Sequence, residues 1–196
     1  KKKKLMKKST KIFTGLFAFT FMFAACDQLA FDFTQELVKE FIVEILSGSN
    51  GQGTVSVTEQ LNLKDGDLDK HRDKIKSAEV KSVVVRFADY VGKDSAMYSG
   101  AFQMPNLLPD IYYMNDLDIS DYAKNNKELV IYEKDGTSFP DDANFPGDEL
   151  IAALNEQLLN PTMDQIDFVY TLSGTEFPVV FKATLAVNFN ASVGPN

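Results

Sequence analysis

Carboxylates are the one chemical resource this chain holds in quantity. It has 28 Asp and Glu, a single histidine, His71, and a single cysteine, Cys26. The run Asp65-Gly66-Asp67-Leu68-Asp69 spaces its acids as the opening of a calcium loop does. An EF-hand needs glycine at the sixth position and glutamate at the twelfth, where this chain has Lys70 and Lys76, so that reading fails. Asp65, Asp67 and Asp69 remain weak candidates for a looser site for a hard cation. The plainer account is a turn followed by a helix cap, and no cofactor is expected. The stretch Asn115-Asp116-Leu117-Asp118 with Ser120-Asp121, and the loop 135–149 with Asp135, Asp141, Asp142, Asp148 and Glu149, allow the same two readings. Nothing in their spacing fixes a coordination geometry.

Other chemistry is thinner. His71 lies between Lys70 and Arg72, in a segment expected to be a charged, exposed helix. A Ser-His-Asp arrangement would have to use it, yet no Gly-x-Ser-x-Gly elbow is present. One histidine and one cysteine are too few for a zinc centre. Gly48, Gly51 and Gly53 do not lead into a helix with a Lys-Ser/Thr end, so no phosphate-binding loop is read. Paired carboxylates can cleave glycosides, but among 28 acids a suitable pair arises by chance. The chain is not expected to be an enzyme.

The lysine cluster at the N-terminus leads into an apolar run, Ile12 to Ala25, that ends at Cys26. A basic region, a short apolar region and small residues before a cleavage point make a secretory signal peptide. As a helix, 14 residues span roughly 21 Å, short of a hydrocarbon core of about 30 Å, and Asp27 and Gln28 follow at once. Met6-Lys7-Lys8 is the more usual start of such a peptide, which makes Lys1 to Leu5 an upstream extension. Phe23-Ala24-Ala25-Cys26 resembles the bacterial lipobox. That resemblance implies lipidation of Cys26 and attachment to a membrane through several acyl chains, since one chain anchors only marginally. With Cys26 lipidated no disulfide can form, and the domain must rest on its core alone. A single acid after the cysteine gives no support for surface display. The expected location is the cell envelope, at the outer membrane facing the periplasm.

Seven of the 20 basic residues precede Cys26 and none of the 28 acids does, which leaves 13 against 28 and a net charge of −15. Nucleic acid and polybasic attachment to anionic lipid both need clustered cations, so neither is expected. Arg72 and Arg86 are the only arginines. The 171 residues from Cys26 onward suit one domain.

That domain reads as mainly β. Phe177, Val179, Phe181, Ala183, Leu185, Val187 and Phe189 alternate strictly, as do Ile166, Phe168, Tyr170 and Leu172 before them. With Ser173-Gly174-Thr175 between, the two runs read as a β-hairpin. Thr54 to Leu63, Val80 to Tyr90, Ala96 to Met104 and Glu128 to Glu133 read as further strands. Phe31 to Leu46 fits both a strand and a helical stripe; strand is favoured, followed by a loop at 47–53. Two short helices are expected: Asp148 to Asn160, stopped by Asn160-Pro161, and Asp67 to Lys76 with Asp67 as N-cap. The fold class is an antiparallel β-sandwich with two short helices.

Leu63-Lys64-Asp65-Gly66-Asp67-Leu68, then Ile75, Val80-Lys81-Ser82-Val83 and Leu172-Ser173-Gly174-Thr175, resemble uncharacterised Bacteroidota lipoproteins. The likeness covers most of the chain after Cys26 and implies a β-sandwich directly behind a lipid anchor, with no catalytic residue to carry over. Asp94-Ser95-Ala96 also resembles the short O-glycosylation acceptor motif of that group. The expected organisation is a signal peptide over 1–25, a lipidated tether over 26–34 and a β-sandwich over 35–196. Its expected role is a non-catalytic accessory or binding module that engages an envelope protein or a glycan through loops at one end. The alternative is a periplasmic binder of lipid or another hydrophobic ligand, with the Phe-rich strands lining a cavity.

Overall fold

The computed structural model describes residues 30–46, 53–135 and 147–194. Eight strands follow one another as β1 (Phe31–Ile45), β2 (Gly53–Asn62), β3 (Ile75–Val91), β4 (Met97–Met104), β5 (Leu108–Asp118), β6 (Glu128–Glu133), β7 (Gln165–Gly174) and β8 (Val179–Val193). Between them lie α1 (Gly66–His71) with a 3-10 turn (Arg72–Lys74), α2 (Ile119–Lys124) and α3 (Gly147–Leu159). One sheet has the order β1-β8-β3-β6 and the other β2-β7-β4-β5. β1 pairs β8, β2 pairs β7, β3 pairs β6 and β4 pairs β5, all antiparallel, so the ladders nest inside one another. Eight strands wound in this way form a jelly roll, the doubled Greek-key version of the expected sandwich.

Burial follows the sequence alternation. In β1, Leu37, Phe41, Val43 and Ile45 are buried while Val38 and Ile42 are 45% and 71% exposed. The helical stripe would have buried those last two, so the strand reading of this segment holds. β1 begins at Phe31, which puts residues 31–34 in the sheet rather than in the tether expected over 26–34. β8 lies between β1 and β3 and buries Val179, Phe181, Leu185, Val187 and Phe189. Across the gap between the sheets, the Phe41 ring meets Phe168 at 5.6 Å and Tyr170 at 6.2 Å. Contacts of this kind fill the interior with rings from both sheets.

The expected β7–β8 hairpin is corrected. β7 belongs to one sheet and β8 to the other, so residues 175–178 carry the chain across the sandwich. Alternation reports which face of a strand is buried, and two strands burying faces towards each other from opposite sheets alternate as a hairpin pair does. Among the described strands, the consecutive pair that forms a hairpin is β4–β5, closed by the bond from Leu107 N–H to Met104 O at 2.9 Å.

The helices depart from expectation as well. The segment read as one helix from Asp67 to Lys76 is six residues of α1 and a 3-10 turn, and β3 starts at Ile75. Asp67 is not its cap. The N-cap position is Asp65, without a side-chain cap bond, and the Leu68 N–H donates instead to Gln35 Oε1 of β1 at 2.8 Å. The same amide returns a bond from Nε2 to Asp65 O at 3.0 Å. Gly66 is needed there: its φ is +56°, and a Cβ would stand 2.8 Å from the Gln35 amide. α2 is a third short helix, not expected from the sequence. It closes one side of the sandwich, with Tyr122 edge-on to Phe87 at 5.8 Å.

Tyr170 is the costly residue of the core. It is 3% exposed and its hydroxyl finds no hydrogen-bond partner among the described residues. Burial alone pushes its pKa well above the usual tyrosine range. Tyr170→Phe is expected to raise stability by about 1 kcal/mol, the desolvation cost of one unpaired hydroxyl. The sign with pH follows from the upward shift. Above pH 10 the unfolded tyrosine ionises while the folded one stays neutral, so the wild type loses stability by roughly 1.4 kcal/mol per pH unit from this group. Urea unfolding of both forms at pH 7, 9 and 11 should show the advantage of the phenylalanine variant growing at the alkaline end. A constant difference would contradict the burial argument.

Candidate functional site

The sheets turn unlike faces to solvent. The outer face of the β1-β8-β3-β6 sheet is charged, with Arg86 of β3 at its centre. The Arg86 guanidinium bonds Glu128 of β6 at 2.7 Å and reaches over β8 to Glu36 of β1 at 2.8 Å. These bonds hold its pKa above the ordinary value. The outer face of the other sheet carries no Lys or Arg at the outward positions of β2, β4 and β7, and its charges among the described residues are the carboxylates of Asp167 on β7 and of Asp116 and Asp118 on the edge strand β5. β2 presents Thr54, Ser56, Thr58 and Gln60; β7 presents Val169, Thr171 and Ser173; β4 presents Met97, Ser99, Ala101 and Gln103. The alternate residues of these strands bury the core, which is why small polar side chains are tolerated here.

Two depressions lie end to end on this face. One, of about 220 Å3, is lined by Ala101, Phe102, Gln103, Tyr113, Val169 and Thr171. The other, of about 440 Å3, is lined by Gly53, Thr54, Met97, Ser99, Ser173, Gly174 and Thr175. They share strands β4 and β7, whose outward residues stand opposite one another as Ser99 with Ser173, Ala101 with Thr171 and Gln103 with Val169. Tyr113 of β5 stands opposite Ala101 and is 63% exposed; Met97 is 54% exposed. Ser56 and Thr171 share a hydroxyl–hydroxyl bond of 3.1 Å, and the Ser173 hydroxyl donates to Ser99 O at 3.4 Å. Asp167, the charge at one end, is held in place by two amides: Gln60 donates to one carboxylate oxygen at 2.8 Å and Asn106 to the other at 2.7 Å.

The acids singled out from the sequence do not converge. Asp67 is tied to Lys70 at 3.0 Å on the exposed surface of α1, and Asp65 O accepts from Asp69 N–H at 3.2 Å. Asp118 is a helix cap: its carboxylate accepts from Asp121 N–H at 3.0 Å and from the Ser120 hydroxyl at 2.7 Å. Asp121 bonds Lys127 at 2.5 Å and Asn125 at 2.6 Å, and the lysine bond holds its pKa below the usual carboxylate range. Asp135 is exposed, Asp148 and Glu149 occupy the first turn of α3, and Asp141 and Asp142 lie outside the described residues. Among the described residues, no group of three or more His, Cys, Asp and Glu is placed to hold a metal ion. His71 is not a bare surface residue: its ring is half-buried edge-on against Phe31 at 5.0 Å. Ser95 is exposed in the turn between β3 and β4. Cys26 lies outside the described residues. No helix among them is long and apolar enough to cross a membrane.

The sequence reading placed binding in loops and passed over the β4–β7 face and Tyr113. The signal available was the run of Ser, Thr, Gln and Ala at the outward positions of strands whose inward positions are large and apolar. No protein-family profile matches the chain, and no curated protein does. Among solved structures, a chain of Desmodium yellow mottle tymovirus aligns with 86% of this chain and 89% of its own length, at 9% identity and a TM-score of 0.30. A likeness of that degree says nothing about function.

Proposed function

We propose that this chain is a lipid-tethered, non-catalytic binding module of the bacterial cell envelope. It is anchored through Cys26 at the outer membrane, faces the periplasm, and engages glycan through the outer face of the β2-β7-β4-β5 sheet. The observation that carries the reading is the pair of depressions lying end to end on a hydroxyl- and amide-bearing face that has an exposed tyrosine and no Lys or Arg at the outward positions of β2, β4 and β7. A protein partner would need a fully desolvated patch with several clustered large anchors, and this face sets Tyr113 and Met97 apart among small hydroxyl side chains. The interior reading, a hydrophobic ligand between the sheets, draws no support from rings already in contact across that space.

Two measurements test the two halves. The processed wild-type protein should enter the detergent-rich phase on phase separation, and Cys26→Ser should stay in the aqueous phase; equal partitioning refutes the anchor. Protein-free insoluble polysaccharide prepared from envelopes should sediment the purified protein. Failure to sediment it would refute the glycan reading.

A further inference from the structure

From the chemistry of the β4–β7 face, we infer that its ligand is a neutral polysaccharide chain lying along the two strands, with Tyr113 as the stacking platform. The inference rests on the glycan reading above and names the class. From Met97 to Gln103 the outward row of β4 runs about 20 Å at strand rise, long enough for several sugar units in a line. Both depressions open along that row.

A sugar ring presents two surfaces to a protein. Its C–H groups form an apolar face that packs on an aromatic ring, and its hydroxyls need donors and acceptors around the rim. Tyr113 supplies the first: a rigid, amphipathic ring with little rotamer freedom to lose, exposed beside the small Ala101 that leaves room above the strand. Ser99, Thr171 and Ser173 supply the second: all three hydroxyl oxygens can accept, although the Ser173 proton is given to Ser99 O and Thr171 shares a bond with Ser56. Val169 adds a flat apolar floor beside Gln103.

Charge decides the class. An acidic polysaccharide would demand Lys or Arg on this surface, and the outward positions of β2, β4 and β7 carry none. The carboxylate there, Asp167, already accepts from two amides and would repel an anionic chain. With a net charge of −15 from Cys26 onward, the protein as a whole also opposes polyanions. A neutral polymer meets none of these penalties.

The test is affinity gel electrophoresis of the full processed protein in mild detergent. The gels contain soluble neutral polysaccharides (a β-glucan, a mannan, a dextran) or acidic ones (alginate, polygalacturonate). At least one neutral polymer should retard the wild type. Tyr113→Ala, which removes a side chain from an exposed position, should keep its melting temperature and lose at least tenfold in affinity. Tyr113→Phe should retain most of the binding, because the ring does the stacking. Retardation by the acidic polymers alone would overturn this inference while leaving the glycan reading in place. Retardation by none would overturn both. Unchanged binding by Tyr113→Ala would remove the platform and with it the placement of the chain along β4 and β7.

Discussion

Replacing Phe181 with aspartate should leave no folded protein in water at 25 °C. Phe181 is 1% exposed in β8, the strand that joins β1 to β3, and packs edge-on against Phe87 at 5.7 Å. Loss of the ring alone costs roughly 3–5 kcal/mol. A carboxylate in that position has no partner and adds several more through desolvation. The sum reaches the whole stability of an ordinary domain, about 5–15 kcal/mol. The neighbouring position gives the control. Lys182 faces outward on the same strand, with carboxylate oxygens of Glu40 and Asp89 at 3.8 and 3.9 Å. Exposed pairs that loose contribute little, so Lys182→Gln should shift stability by no more than about 0.5 kcal/mol. Circular dichroism and urea unfolding of the three proteins read both outcomes. Similar losses at 181 and 182 would mean the strand faces are wrongly assigned.

The second large effect is expected at Arg72. This side chain is 7% exposed and donates to three backbone carbonyls: Asn160 O at 3.1 Å, Leu63 O at 3.3 Å, and Met163 O. It thereby ties the turn after α1 to the end of β2 and to the segment leading from α3 into β7. Burial lowers its pKa, with Asp164 and Asp69 acting the other way, yet an arginine remains protonated throughout the working range. Arg72→Met keeps the bulk and deletes all the donors. Leu63 O and Met163 O then lose this donor while Asn160 O keeps the Met163 N–H at 3.3 Å, and a loss of about 2 kcal/mol is expected. Arg72→Lys should recover only part of it, because an ammonium lacks the planar fork that reaches three acceptors at once. A loss below about 1 kcal/mol for the methionine variant would show that water satisfies those carbonyls equally well.

Arg72 also marks where reading the sequence succeeds and fails. Helical spacing puts Leu68, Arg72 and Ile75 on one face, and Arg72 is indeed buried, in the turn after α1. Its partners were not legible, because Asn160 and Met163 are distant in the chain and offer only backbone atoms. The same contrast runs through the fold. Period-two alternation identified β7 and β8 and the inward faces of Phe168 and Phe181, but carries no information on which strand lies alongside. The short connection at 175–178 could turn within a sheet or cross between sheets, and it crosses. α2 had a signal that passed for an acidic loop: Asp118 three residues ahead of Asp121, with Lys124 in the last turn. The candidate site was obscured for a different reason. Ser, Thr and Gln at outward strand positions are what any solvated sheet carries. Only the lateral pairing of β4, β5 and β7 brings Tyr113 beside Ala101 and sets the two depressions in line.

One detail of β1 bears on how the molecule stands in its surroundings. Because the first strand is already formed at Phe31, lipidation at Cys26 would leave four residues between anchor and strand, at most about 17 Å of chain. That is less than the length of β8, the strand beside β1, so the sandwich would ride close above the bilayer and could not swing out on a long leash. Polymer would have to come down to the membrane to be held, and neighbouring copies would work at one common height.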